Sequence, residues 1–240
     1  MKHELNETRK DQFERLWARL QSAERDIQNQ AAWPFVAVAG PSYSDIQNAP
    51  RLMFLGKATH QGYGSEEGTG RPSFEGQEEK AREILKAGLG SAWWGFIDEI
   101  VTAVFAGEGS LAKEVAKNPR NFIVWNNLMK VGTKSGNPEG THAKWQAELA
   151  KECLKTELKY FDPTHVIIPT SHYQTSLIGE IFGPDVDWAQ WTEIPRPHLL
   201  VREFCGRHLI WCMHPQGKSS CLLEMWKDAI ISRIKATFPA

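Results

Sequence analysis

His214 and Pro215 form the most chemically suggestive pair in the chain. They lie between a strand-like run, residues 207–211, and a helix-like run, residues 220–235. In open α/β sheets, ligands bind at the carboxyl ends of strands. The proline rigidifies the turn, and Gly217 lets a substrate approach the backbone closely. His214 is therefore a candidate catalytic residue on a loop held by a rigid sheet, although a histidine here can also simply satisfy a backbone carbonyl.

Asn126 and Asn127 form a second candidate set, directly after the apolar run 122–125. An amide side chain offers a donor and an acceptor together, so it can bind the polar edge of a ligand. Either asparagine can do this, and either can instead cap the next segment or tolerate a turn. The pattern therefore indicates a candidate ligand-binding position without choosing between the two residues.

A third set follows the apolar run 51–56, which ends in a glycine. The next segment, residues 57–76, is rich in Gly, Ser and Glu, and such long loops in compact domains are usually functional. Its first cation, Lys57, can contact a phosphate or a hydroxyl, or attack a sugar as an amine of lowered pKa. A solvated lysine at a loop edge is the other interpretation. Glu66 and Glu67 are either a source of a catalytic carboxylate or a solvated pair.

Strands that alternate with helices must position these loops. Hydrophobic periodicity predicts helices over 6–28, 77–87, 93–105, 142–160, 174–182 and 220–235. Apolar runs predict strands over 51–56, 122–125, 164–169 and 207–211, with an edge strand at 199–201. The expected fold is a three-layer α/β/α sandwich around a mostly parallel four-stranded sheet. One domain is expected over residues 1–240, with 1–50 as a helical and loop extension and 51–240 as the core.

Composition limits the classes of function. The chain has 240 residues, 41% hydrophobic and 24% charged, with a net charge of -1. These values are ordinary for a globular protein and argue against a polybasic binder, although one local basic face can still contact phosphates. The first 25 residues lack the apolar core of a secretion signal, and no run approaches the length of a membrane span. We expect a cytoplasmic monomer, with no membrane association and with reduced cysteines.

The strand ends, taken in order, resemble those of the uracil-DNA glycosylase superfamily. The matching pieces are residues 56–64, which begin Gly56-Lys57-Ala58-Thr59-His60, then 125–131, then Pro163 with 166–168, and finally His214-Pro215. The resemblance covers roughly residues 51–238. A further piece, residues 70–76, is similar to a Gly-Arg-Pro-Phe segment of the iron-sulfur branch of that superfamily. Each match is weak alone, and together they are moderately specific.

The resemblance implies a role for each matching position. His214 donates to the departing base, Asn126 reads the pyrimidine edge because its offset from the strand fits the family pattern, and Lys57 and His60 replace the water-activating residues. The expected substrate-binding residues are Gly56, Ala58, Gln61, Tyr63, Phe74 and Asn127. The expected DNA-binding residues are Arg71, Lys130, Pro215, Gln216, Gly217, Lys218, Ser219 and Ser220. Phe74 either stacks on the base or fills the core, Tyr63 either lines the pocket or forms part of a turn, and a serine at 219 or 220 can also cap the last helix.

Three departures from the family pattern matter. No carboxylate follows Gly56, since Lys57 and Ala58 stand there. The last motif reads His-Pro-Gln where the family has His-Pro-Ser. Of the four cysteines, only Cys153 falls near a cluster position, so no iron-sulfur cluster and no other cofactor or metal is expected. A pocket unlike that for uracil is therefore expected, and Trp188 and Trp191 are candidates for its wall.

The leading hypothesis is a monofunctional DNA glycosylase that leaves an abasic site after removing a modified or damaged pyrimidine. Related enzymes that excise bulky phage bases, such as glucosylated hydroxymethylcytosine, suggest a role in anti-phage defence. The alternative is a catalytically impaired module of the same fold that binds nucleic acid. An unrelated α/β hydrolase or nucleotide enzyme is disfavoured, since the chain has no Gly-x-Ser-x-Gly elbow and no phosphate-binding P-loop.

Overall fold

The computed structural model describes residues 1–58, 71–88, 90–107, 109–183 and 199–238. The α-helices are α1 (Lys2–Gln21), α2 (Arg25–Gln30), α3 (Phe74–Ala87), α4 (Ala92–Val104), α5 (Ser110–Lys117), α6 (Gly140–Phe161), α7 (Thr175–Phe182) and α8 (Ser220–Thr237). Short 3-10 helices span Tyr43–Asp45 and Pro119–Phe122. Within the described ranges, no helix combines the length and apolar character needed to cross a lipid bilayer.

The strands form one large sheet and one small sheet. They are β1 (Ala31–Pro34), β2 (Val38–Ala39), β3 (Leu52–Gly56), β4 (Ile123–Asn127), β5 (Val131–Thr133), β6 (His165–Pro169), β7 (Leu199–Phe204) and β8 (Arg207–Cys212). The six-stranded sheet has the order β2-β4-β3-β6-β8-β7, and β1 pairs with β5 in the other sheet. β6 is parallel to both β3 and β8, whereas β7 is antiparallel to β8. The fold is therefore mixed α/β with a mostly parallel sheet, as predicted.

The central strands are recognisable in the sequence because they are completely buried. Every residue of β3, β4 and β6 is buried. Strands covered on both faces are near-continuous apolar runs, and these runs were the basis of the strand predictions. The four predicted core strands and the predicted edge strand are present. The sheet also has a sixth strand, β2, which the sequence did not reveal.

The chain groups into two compact units, each built from three segments. Unit 1 comprises Met1–Val38, Gly56–Glu83 and Asn126–Asp162. Unit 2 comprises Ala39–Leu55, Ile84–Trp125 and Pro163–Ala240. In each unit the segments alternate with those of the other along the sequence.

In unit 1, helix α1 packs against α6. Their buried contacts form one apolar cluster that also receives residues of α2, β1 and β5: Leu16, Leu20, Ile27, Ala31, Val131, Leu149 and Cys153. The predicted single helix 6–28 is two helices, because α1 ends at Gln21 and α2 starts at Arg25. The side-chain amide of Gln146 in α6 bonds both backbone groups of Val131, at 2.8 and 2.7 Å, and so completes the edge of β5.

In unit 2, helix α4 packs against α8 and against the segment before β4. Lys227 of α8 is ion-paired with Glu99 of α4. Arg120 forms a two-pronged pair with Asp98, at 2.9 Å for each bond, and donates to the carbonyls of Leu85 and Lys86. Hydrogen bonds between charged groups are stronger than those between neutral groups. These pairs therefore fix the relative positions of the segments that they join.

His165 lies in the interior at the amino end of β6. Its ring stacks on that of His208 in β8, with centroids 4.9 Å apart. Nδ1 lies 2.9 Å from the hydroxyl of Thr164, and Nε2 lies 2.8 Å from the hydroxyl of Thr237. Burial, and secondly the neighbouring His208, lower the pKa of His165 to about 4. The folded chain therefore holds this imidazole neutral at pH values where an exposed histidine is charged.

We expect acid to destabilise the protein through His165. Between about pH 6.5 and the lowered pKa, the unfolded chain binds a proton that the folded chain does not. Stability is thus complete above about pH 6.5 and is lost as pH falls, by about 2 kcal/mol at pH 5 from this group. Urea denaturation at pH 7 and pH 5 measures the loss. The His165→Gln variant should lose about 2 kcal/mol less than the wild type, and equal losses would contradict the assignment.

Candidate functional site

The carboxyl ends of β3 and β4 lie side by side in unit 1. The backbone N–H of Leu128 donates to the carbonyl of Gly56 at 2.9 Å. The N–H of Met129 donates to the carbonyl of Lys57 at 3.0 Å. Two of the predicted sets are thereby brought together, since Lys57 follows β3 directly and the asparagine pair ends β4. Ala58 is partly exposed.

Asn126 belongs to a buried polar network with Lys130 and Glu157. Its Nδ2 donates to Glu157 Oε2 at 3.0 Å. Its Oδ1 accepts from the backbone N–H of Asn127 at 2.7 Å and from Lys130 Nζ at 2.5 Å. Lys130 Nζ also pairs with Glu157 Oε2 at 2.5 Å, and both side chains are withdrawn from solvent. The network ties the end of β4 to α6.

The network bears on two sequence expectations. Lys130 does not contribute to a basic rim, because its side chain is only 1% exposed and its charge is paired inside the protein. Asn126 has its amide oxygen and nitrogen engaged by groups of unit 1. An amide committed in this way is poorly placed to bind a base, since the base would have to displace a charged partner.

Asn127 is the other predicted asparagine, and it joins the network through its backbone N–H. Its side chain is buried, with 2% of the residue exposed. Among the residues that the structure describes, its Nδ2 has no hydrogen-bond partner. Buried donors are nearly always satisfied, and an exception calls for an explanation such as a bound ligand or water. Of the two predicted asparagines, Asn127 therefore retains a donor that a ligand can use.

Phe74 and Arg71 are used within unit 1. Phe74 is 5% exposed and meets Phe13 edge to face, with ring centroids 5.9 Å apart. Of its two predicted roles, it has that of a core residue. Arg71 is largely exposed and is ion-paired with Glu14. An exposed pair of this kind is weak, so this guanidinium can exchange Glu14 for a phosphate at little cost.

His214 lies after β8 in unit 2, and its ring is oriented by two neighbours. The backbone N–H of Gln216 donates to Nδ1 at 3.2 Å. The indole of Trp93 in α4 stacks on the imidazole at a centroid distance of 5.6 Å and an interplanar angle of 17°. A ring nitrogen that accepts from a backbone N–H carries no proton, so a neutral His214 carries its proton on Nε2. Nε2 is then the donor of the ring.

Ser171 fixes the backbone of the His214 loop. Its hydroxyl accepts from the N–H of His214 at 2.8 Å. Its own N–H donates to the carbonyl of Cys212 at 3.1 Å, and its carbonyl accepts from Trp211 Nε1 at 3.0 Å. Ser171 adopts a left-handed conformation, with φ of 56°, which non-glycine residues adopt only where the surroundings compensate. Three hydrogen bonds to the end of β8 provide that compensation.

The rest of the loop has the predicted features. Pro215 is buried, and Gln216 is exposed. Gly217 has φ of 72°, a conformation that glycine adopts without strain. Ser219 is the N-cap residue of α8, but its hydroxyl makes no capping hydrogen bond. Lys218 is partly exposed, and Ser219 and Ser220 are exposed, so this segment is open to an approaching anion.

Several candidates lie outside the described residues. They are Thr59, His60, Gln61, Tyr63, Glu66, Glu67, Trp188 and Trp191.

Sequence reasoning missed Ser171, Trp93 and Thr170. Thr170 follows β6 and is completely buried, and its hydroxyl has no partner among the described residues. The sequence contained a signal for Thr170 and Ser171, because these polar residues directly follow the apolar run 164–169, as polar residues follow the other core strands. Trp93 had no such signal, since the helix pattern gives no indication of which loop its ring meets.

The buried cysteines are unsuited to nucleophilic chemistry. Burial, and secondly Glu157, raise the pKa of Cys153 to about 12. Burial also raises the pKa of Cys212. The thiolate is the reactive form, and it is scarce at neutral pH for both residues.

The comparisons with known proteins give no family. No family model matches the chain, and no curated protein matches it.

We expect the charges of the buried network to be coupled. The Glu157→Gln substitution keeps an acceptor for Asn126 but leaves the Lys130 ammonium unpaired in the interior, which costs about 3 kcal/mol of unfolding free energy. Adding Lys130→Met removes that stranded charge, so the double variant should be more stable than Glu157→Gln alone. Urea denaturation at neutral pH measures both, and a double variant less stable than the single one would contradict the network.

Ser171 should control the local opening of the His214 loop. The Ser171→Ala substitution keeps the backbone conformation equally strained and removes the acceptor for the N–H of His214, a bond that contributes about 1 kcal/mol. Hydrogen exchange of the His214 amide, measured by NMR, should accelerate roughly fivefold. His172→Ala, at the position directly after Ser171, is the control and should leave the exchange rate unchanged. An unchanged rate in Ser171→Ala would exclude the role.

Proposed function

We propose that the chain is a monofunctional DNA glycosylase that hydrolyses the N-glycosidic bond of a modified pyrimidine and leaves an abasic site. In this reaction water adds to the anomeric carbon, and the base departs with the electron pair of the broken bond. Negative charge develops on the base and positive charge on the sugar. The enzyme must therefore supply a donor to the departing base, contacts to its edge, and contacts to the phosphates of an extruded nucleotide.

The observation that carries the proposal is the orientation of His214. The Gln216 N–H engages Nδ1, which places the proton of the neutral imidazole on Nε2. A neutral imidazole held in one tautomer can donate to an oxygen on the departing base without first acquiring a proton. Trp93 and Ser171 hold the ring and its backbone, so little reorganisation is needed when the charge develops.

Asn127 is assigned to the pyrimidine edge in preference to Asn126. Asn126 is engaged by Lys130 and Glu157, whereas the Nδ2 of Asn127 is buried and has no partner among described groups. An oxygen on the bound base would accept from this Nδ2 and so satisfy it. Such a contact discriminates strongly against a base that lacks the matching acceptor.

The start of α8 is assigned to the DNA backbone. Lys218 contributes a positive charge, and Ser219 and Ser220 contribute hydroxyls beside the first backbone N–H groups of an 18-residue helix. Because Ser219 makes no capping hydrogen bond, its hydroxyl and those N–H groups are available together. Helix N-termini with basic neighbours bind phosphates well. Arg71 is a further phosphate contact.

The end of β3 favours a modified base over uracil. Lys57 and Ala58 follow Gly56, so no carboxylate is present directly after this strand. Lys57 is placed beside β4 by the bond from Met129, and an ammonium there suits a hydroxyl-bearing substituent on the base. Glucosylated hydroxymethylcytosine, the substrate class that the family resemblance suggests, carries such hydroxyls. A role in defence against phage DNA is part of this proposal.

The residues that follow Gly56 also favour a second candidate function. Without a carboxylate after Gly56, the chain can be a nucleic-acid-binding module of the same fold that no longer activates water. It then binds DNA with a marked dependence on salt and forms no abasic product.

We expect the wild type to release base from at least one modified oligonucleotide. The panel carries uracil, hydroxymethylcytosine or its glucosides, and alkali converts each abasic site into a strand break. His214→Ala and Asn127→Ala should each lower the rate of break formation roughly a hundredfold, since one removes the donor to the departing base and the other the contact to its edge. Gel electrophoresis of the labelled strand measures the rate.

His172→Ala is the matched control, because His172 is an exposed histidine one residue from Ser171, and it should retain the wild-type rate. Salt-dependent DNA binding without breaks on any substrate would replace the glycosylase with the binding module. A full rate in His214→Ala would exclude the assigned role of this residue.

A further inference from the structure

A pocket of about 190 Å³ lies within unit 1, and none of its residues has a role in the proposed reaction. Its principal lining residues come from three elements of that unit and from the residue after a fourth: Trp17, Leu20 and Gln21 of α1, Gln28 of α2, Trp33 of β1, and Lys134 directly after β5. Gln28 Nε2 donates to the carbonyl of Gln21 at 2.7 Å and so closes the corner between the two helices. This pocket has a fixed wall on that side.

The pairing of β1 with β5 has a bulge at Trp33, which lines the pocket. In the register of β1 with β5, Ala31 is opposite Thr133 and Pro34 is opposite Val131. Two β1 residues, Ala32 and Trp33, therefore stand opposite one residue of β5. Trp33 is partly exposed, whereas the other residues of β1 are buried. Bulges are frequent next to binding sites because they redirect a side chain, and a partly exposed tryptophan loses much of the burial that stabilises this residue.

Trp17 gives the pocket a second indole. It packs against the apolar cluster of α1 and α6 and is itself only partly buried. Two indoles therefore line the pocket, one from α1 and one from β1. Flat aromatic surfaces of this kind are the platforms on which nucleic-acid bases stack.

Lys134 adds a positive charge beside the indoles. Its side chain is exposed and has no ion-pair or hydrogen-bond partner among the described residues. Its backbone is fixed, because its N–H donates to the carbonyl of Gln30 at 2.8 Å. The Thr133 hydroxyl contacts the carbonyls of Ser135 and Gly136, at 2.9 and 2.7 Å, which fixes the turn that follows.

We propose that this pocket binds one nucleotide, with its base against Trp33 and its phosphate at Lys134. The base stacks on the indole of Trp33, and the ammonium of Lys134 attracts the phosphate. The volume is below the roughly 300 Å³ of pockets for drug-sized ligands, so it holds a single ring system. A free mononucleotide and an unpaired nucleotide of single-stranded DNA present the same groups. The inference does not depend on base excision.

Fluorescence anisotropy of a labelled oligothymidylate with the full chain tests the proposal. Trp33→Ala and Lys134→Gln should each weaken binding roughly tenfold. Lys134→Gln should also reduce the slope of log Kd against log salt by roughly 0.7, the value for one phosphate contact on a single strand. Lys144→Gln and Trp145→Phe are the matched controls in the same unit, and neither should change binding. Lys134 is exposed, so its variant tests the site even if Trp33→Ala fails to fold.

Competition experiments identify the ligand. Thymidine monophosphate should displace the probe, while thymidine should do so at least tenfold less well and glucose should have no effect. A strand that binds much more tightly than the mononucleotide identifies single-stranded DNA as the source, and equal affinities identify a free nucleotide. Binding that both pocket variants leave unchanged, or displacement by glucose alone, would overturn the proposal. Loss of base excision with intact nucleotide binding would count against the proposed function only.

Discussion

The pairing of Lys130 with Glu157 is the interaction on which the arrangement of unit 1 depends. An ammonium and a carboxylate taken out of water each cost several kcal/mol unless they are paired and hydrogen-bonded. The pair, at 2.5 Å, is satisfied only when the segment after β4 lies against the C-terminal part of α6. Asn126 completes the network and is engaged by it. The neighbouring Asn127 keeps a side-chain donor without a partner among the described residues, so the charge pair engages one asparagine and not the Nδ2 of the other.

Unit 2 shows a comparable division between support and chemistry. Ser171 carries backbone strain and bonds the end of β8 and the backbone of His214, while His214 keeps an oriented ring. Trp93 covers one face of that ring. Functional side chains are accurate only when the residues behind them are fixed. Here the supporting residue follows one core strand and the residue that it supports follows the next.

The sequence predicts the central strands well and the surroundings of the site poorly. β3, β4 and β6 are runs of buried residues, and such runs are visible without any tertiary information. The break between α1 and α2 was not visible, because Ile27 continues the apolar pattern and joins the same cluster. The short strands β1, β2 and β5 have too few residues to show alternation, and α5 was also missed. Lys130 was expected at the surface, since its partner is 27 positions away and no local pattern connects them.

The interleaving of the two units has a consequence for how the chain can be divided. Any cut between residues 39 and 162 divides both units. A ribosome must therefore release most of the polypeptide before either unit has its full set of partners. Until then, the nascent chain exposes apolar strands whose partners have not yet been synthesised. Its maturation should therefore depend on chaperones more than the maturation of a protein whose domains follow one another along the chain.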